Sequence, residues 1–95
     1  MINSFKNAMT EAVFNNGVPK GFPADVAKVA RRKLEGLNAA YQLSDLRSPP
    51  GNRLHALVGN REGQYAIRIN DQFRVCFVWK DEGAHDVEIV DYHCG

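Results

Sequence analysis

The sequence predicts an α+β fold, two amino-terminal helices packed on a twisted antiparallel β-sheet, and three features point to it. Apolar residues in the first half recur at helical spacing, while those of the second half alternate with polar ones. The stretch Ser48-Pro49-Pro50-Gly51-Asn52 separates the two regimes. A chain of 95 residues holds one domain with a single core, so the sheet and the helices must cover each other.

Residues 1–5 read as a short strand at an edge of the sheet or paired within it. Met9, Ala12 and Val13 make residues 7–15 a short helix, which Gly17 can end. Residues 16–22, with Gly17, Pro19 and Gly21, form a loop. Pro23 suits the first turn of a second helix, where its missing N–H costs nothing, and Asp25 meets the positive end of the helix dipole. Val26, Ala30, Leu34, Leu37 and Tyr41 form its apolar stripe, and the helix fades near Leu43. Residues 45–52 read as a connection outside the core. Strands are expected at 53–58, 64–69, 73–79 and 86–91, with turns at Gly59-Asn60 and Glu82-Gly83.

The hydrophobic fraction of 44% and charged fraction of 24% exclude disordered and fibrous classes. No window is long and apolar enough to span a membrane, and Met1 to Lys6 lacks the basic-then-apolar pattern of a leader. Two cysteines, Cys76 and Cys94, make no secreted disulfide framework, so a cytoplasmic location is expected. Residues 1–50 carry seven Lys/Arg against four Asp/Glu, and residues 51–95 five against seven. An anion site in the second half must therefore be built from a few converging arginines.

The hairpin around Asn70 supplies such arginines. Ile67, Ile69, Phe73 and Val75 should all face the core. A two-residue turn would set Ile67 opposite Arg74 and mix the faces. A three-residue turn at Asn70-Asp71-Gln72, with Asn or Asp in the left-handed position, pairs Arg68 with Arg74 on the polar face. Like charges directly opposite repel, and a bound polyanion removes that penalty. The alternative is two surface arginines that simply pair with Glu88 or another acid.

The chain ends Asp91-Tyr92-His93-Cys94-Gly95. His93 can move a proton near neutrality, Tyr92 can hydrogen-bond a phosphate or stack on a base, and Asp91 can orient either partner. RNA carries its own nucleophile, the 2′-hydroxyl, so its cleavage requires a base, an acid and positive charge but no metal. Clustered carboxylates of a metal nuclease and zinc-like His/Cys spacing are both missing from the sequence, and no cofactor is expected. His55 and His85 have no supporting pattern. Lys28, Arg31 and Arg32 make a basic helix face that serves either RNA backbone contact or solubility. Arg61 is an extra phosphate contact and a poor base.

The segments Ile67-Arg68-Ile69-Asn70-Asp71-Gln72-Phe73-Arg74-Val75-Cys76-Phe77 and Val87-Glu88-Ile89-Val90-Asp91-Tyr92-His93 resemble the HigB branch of the RelE/ParE toxin superfamily. Asp45 to Leu54 and Leu57 to Gly63 extend the resemblance over nearly the whole chain. It implies a toxin of a type II toxin–antitoxin module, a ribosome-dependent endoribonuclease that cuts messenger RNA in the aminoacyl site. It implies a HigA-like helix-turn-helix antitoxin as partner, and operator DNA bound only through that antitoxin. The matching site positions are Arg68, Arg74, Asp91, Tyr92 and His93. Some members carry lysine where this chain has Val58, which cannot move a proton. Rival readings are a ParE-like gyrase poison and an inactive relative that keeps only the antitoxin surface.

Overall fold

The computed structural model describes residues 1–91. Two helices, α1 (Ala8–Phe14) and α2 (Ala24–Ala39), precede a four-stranded antiparallel sheet in the order β1 (His55–Ala56), β2 (Gln64–Arg68), β3 (Phe73–Lys80) and β4 (Gly83–Asp91). Asn7 caps α1 by accepting the Thr10 N–H at 2.9 Å. Pro23 stands one position earlier than expected, as the N-cap of α2, where its extended ψ of 131° turns the chain into the helix.

The helices cover one face of the sheet. Val13, Ala30, Leu34, Leu37, Ile67, Val75, Phe77, Val87 and Ile89 form the main buried cluster. At about 1.5–3 kcal/mol for each large aliphatic side chain, this layer is the dominant favourable term in folding. Among the described residues, the opposite face carries a small apolar patch of Leu57, Ala66 and Cys76 with Val90 against it. That face is left to polar chemistry.

Three expectations need correction. The α2 helix stops at Ala39, because Ala40 is extended (ψ 133°), and Tyr41 is therefore 84% exposed instead of closing the apolar stripe. Residues 45–52 are not outside the core. Two 3₁₀ turns, Leu43–Arg47 and Pro50–Asn52, bury Leu46 and Asn52 to 3% and 4% exposure. The 82–83 turn is displaced by one residue: Asp81 and Glu82 take positive φ of 53° and 59°, and Gly83 already pairs with Lys80. A side chain at position 83 would push the Asn3 side-chain amide aside and crowd the Met1 carbonyl oxygen at 3.1 Å.

The amino-terminal segment explains that crowding. It runs parallel to β4, with bridges Ile2 to Ala84 and Phe5 to Val87, and satisfies the outer edge of the strand. Its direction carries the chain toward α1, where the buried Thr10 hydroxyl oxygen accepts the Ile89 N–H at 2.9 Å. A bulge where Phe77 faces two residues of β4 lets Asp86 take φ 52° and donate its N–H to Ser4 Oγ. The bulge resets the alternation, so Ala84, Val87 and Ile89 all reach the core.

Thr10→Val should leave the Ile89 N–H buried and unpaired, at a cost of about 1–3 kcal/mol. Thr10→Ser keeps the acceptor and should lose only about 1 kcal/mol for its methyl group. Urea unfolding midpoints at constant m-value check both; equal losses would mean that the hydroxyl contributes nothing.

Candidate active site

The β2–β3 hairpin brings Arg68 and Arg74 opposite each other on the uncovered face, as the face-matching argument requires. The turn is made differently from expectation. None of residues 70–72 is left-handed. Instead the Asn70 side-chain oxygen accepts the backbone N–H groups of Gln72 and Phe73, each at 2.8 Å. Arg68 pairs with the fully exposed Asp71 across the turn. Arg74 donates to the backbone oxygens of Asn70 at 2.5 Å and Phe73 at 3.3 Å. The hydrogen bond from Arg68, then its charge, with smaller pulls from Arg74 and Arg53, hold the Asp71 carboxyl below the usual carboxylate range. That group is ionised throughout neutral pH. Its favourable contribution is lost only as pH falls through the lowered value.

Further groups share this face. Glu88, opposite Cys76, accepts from Arg61 at 2.7 Å and lies 4.0 Å from Lys6. Arg61 also donates to Gln64 at 3.2 Å. Burial pushes the Cys76 thiol up, Glu88 adds to the rise, and Arg61 and Arg74 oppose it. The thiol is thus neutral and no nucleophile. His55 pairs with Ala66, so it sits on the Arg68 and Arg74 face, exposed, with Nδ1 2.8 Å from the Arg53 carbonyl oxygen.

The remaining candidates are distributed as follows. Asp91 pairs with Phe73, on the alternate pleat from Arg74, and accepts from Gln72 Nε2 at 3.1 Å. Tyr92 and His93 lie outside the described residues. Lys28 and Arg31 line a cleft of about 170 Å³ between the end of α1 and the start of α2, whereas Arg32 borders a different one. Val58 is 84% exposed beside the Gly59–Arg61 turn. No group of three or more His, Cys, Asp or Glu side chains clusters as a metal site among the described residues.

The sequence alone leaves two residues of this region outside the site. His55 has a signal: two-residue alternation through Arg53, His55 and Leu57 assigns it to the open face once the pairing with β2 is known. Lys33 had none. Its ammonium donates to the buried Asn52 oxygen at 2.6 Å, a contact between α2 and a turn that reads as a plain linker. Burial first, then the charges of Arg32 and Arg68, lower its pKa.

Glu88→Gln should destabilise the domain by about 1–2 kcal/mol, the figure for a buried pair discounted because Arg61 is 35% and Lys6 55% exposed. A double-mutant cycle with Arg61→Gln measures the coupling. A coupling near zero would show that the pair is ornamental.

A family model described as the RelE-like toxin of type II toxin–antitoxin system HigB matches residues 3–93. "Endoribonuclease HigB" of Proteus vulgaris is 30% identical over 93 residues, covering 98% of this chain and 100% of that protein. "Toxin HigB-1" of Vibrio cholerae is 49% identical over 59 residues, a match spanning 62% of each protein. Among solved structures, the YoeB–YefM complex from Staphylococcus aureus includes a chain of the same fold, with a TM-score of 0.62 at 15% identity over 98% of both chains. The chain belongs to the HigB-like family of RelE-like toxins of type II toxin–antitoxin systems.

Proposed function

We propose that this toxin is an endoribonuclease that cuts messenger RNA on the ribosome and is neutralised by a HigA-like antitoxin. The observation that carries this reading is the cross-strand pairing of Arg68 and Arg74 on the uncovered face, with His55 on the same face. Two guanidiniums repel unless an anion lies between them, and a phosphodiester supplies oxygens matched to their donor forks. The name of the Proteus relative supports the reaction class.

In this mechanism the RNA 2′-oxygen attacks the adjacent phosphorus. Its proton passes to a base as the P–O bond forms. The bond to the 5′-oxygen breaks, and an acid protonates that leaving oxygen, giving a 2′,3′-cyclic phosphate and a free 5′-hydroxyl. Arg68 and Arg74 neutralise the charge that builds on the phosphoryl oxygens. His93 serves as general acid or base, positioned by Asp91 and Tyr92, and His55 is the second imidazole available for the opposite proton transfer. Val58 contributes no proton chemistry. Phosphate binding displaces Asp71 from Arg68, an exchange that costs little because Asp71 is fully solvated.

Arg68→Ala and Arg74→Ala should each lower cleavage about 10²–10³-fold. His93→Ala should lower it about 10²–10⁴-fold, and all three variants should stay folded. Mapping transcript 5′ ends after induction tests the assignment. Cuts in codon register that vanish when translation is blocked are expected. DNA damage with intact messages would point to gyrase, and retained antitoxin binding with neither effect to an inactive relative.

A further inference from the structure

We propose that Lys33 and Arg32 of α2, with Asn52 of the 3₁₀ turn as anchor, form a second phosphate subsite that holds an RNA phosphodiester next to the one gripped by Arg68 and Arg74. The inference rests on the nuclease reading and extends it from one phosphate to the path of the strand.

The site is a cleft of about 130 Å³ between Arg32, Lys33 and Gly36 of α2 and Ser48, Pro49 and Asn52 of the turn, room for several oxygen-sized groups. Its polar floor is built, not incidental. Asn52 is 4% exposed, and its amide nitrogen donates to the carbonyls of Leu46 at 3.1 Å and Ser48 at 3.3 Å. Those two bonds fix the orientation of the amide, so its oxygen is presented to Lys33, whose ammonium sits 2.6 Å away. An ammonium has three donors, and Asn52 takes one.

Two guanidiniums act on this ammonium with like charge. Arg32 precedes it on the same helix, and Arg68 at the end of β2 adds like charge. Asp45 borders the cleft, but its carboxylate accepts the backbone N–H groups of Tyr41 and Gln42 at 3.0 and 3.1 Å. No acidic side chain forms an ion pair with Arg32 or Lys33 among the described residues. A half-buried ammonium in the field of two guanidiniums costs free energy that an anion returns. The Pro50–Asn52 turn that walls the cleft packs against β2, whose last residue is Arg68, so the two sites are neighbours, and a polyanion with regularly spaced phosphates fits them better than one free anion. Lys28 and Arg31 face the other cleft and take no part.

The test uses the whole protein and a heptanucleotide carrying 2′-O-methyl at every position, which binds but lacks the nucleophile. Lys33→Gln removes the charge while keeping an N–H donor for Asn52, and Arg32→Gln changes an exposed side chain; both should melt as the parent does. Each should weaken heptanucleotide binding about tenfold. Each should also reduce the slope of log K against log salt by about 0.7, one single-strand phosphate contact. A 2′-O-methyl dinucleotide, with one phosphate, should bind parent and variants alike.

Loss on the heptanucleotide identifies the message strand as the source of the phosphate. Loss seen only on ribosomes programmed with the modified message identifies ribosomal RNA. Unchanged affinity in both arms overturns the subsite. So does an equal loss from Lys80→Gln, an exposed lysine at the end of β3, which would mean that net charge alone is read. Arg74→Ala separates this inference from its premise. If it binds every probe like the parent while Lys33→Gln does not, the nuclease reading fails and the Lys33 contact stands.

Discussion

The register between β2 and β3 is the constraint on which the uncovered face depends. Ile67 and Val75 are paired and 1% and 0% exposed on one face, and Arg68 and Arg74 are paired on the other. A slip of one residue would exchange these pairs, exposing two aliphatic side chains at about 1.5–3 kcal/mol each and burying guanidiniums at several kcal/mol each. Repulsion between partly exposed arginines is of the order of 1 kcal/mol or less. The core therefore dictates the pairing, and the sheet tolerates two adjacent like charges because undoing them costs more. The Asn70 side chain secures the turn length by satisfying two backbone N–H groups without a left-handed residue.

The same comparison of burial and charge sorts the arginines of the open face. Arg61 is committed to Glu88, whose side chain is only 11% exposed, and releasing it would strand a nearly buried carboxylate. Arg68 is held by Asp71, whose side chain is 99% exposed and regains full hydration when released. One ion pair is architecture and the other is exchangeable. Sequence assigns Arg61, Arg68 and Arg74 the same chemistry, and depth separates them. Cys76 is treated by the same rule, since burial beneath these charges keeps its thiol neutral.

What was legible in the sequence was what periodicity encodes. The two faces of β2 and β3, the arginine pair and the helical half all follow from spacing, and register turns spacing into contact. Less legible were features that depend on where a backbone stops or turns. The stripe through Leu34 and Leu37 runs on to Tyr41 in sequence, but Ala40 is extended and the ring points away from the core. Pro49, Pro50 and Gly51 advertise a linker, and nothing local signals that Leu46 and Asn52 flank them as buried anchors. Lys33 was invisible for the same reason, since its partner lies 19 residues away across that turn. Asp91 was grouped with the arginines through its neighbours in sequence, while the pleat assigns it to the Phe73 side.

The two faces of the sheet answer to different demands, and this bears on how far likeness of fold can carry. The covered face must be apolar and close-packed to hold α1 and α2, a demand that many sequences meet. A chain with 15% identity and a TM-score of 0.62 meets it over 98% of its length. The open face contributes little burial beyond Leu57, Ala66 and Cys76, so its polar positions can change with small cost to stability. Shape alone therefore says little about chemistry in this fold. What distinguishes one member from another must be read from the charges that register brings together on the uncovered strands, and here these are Arg68, Arg74 and His55.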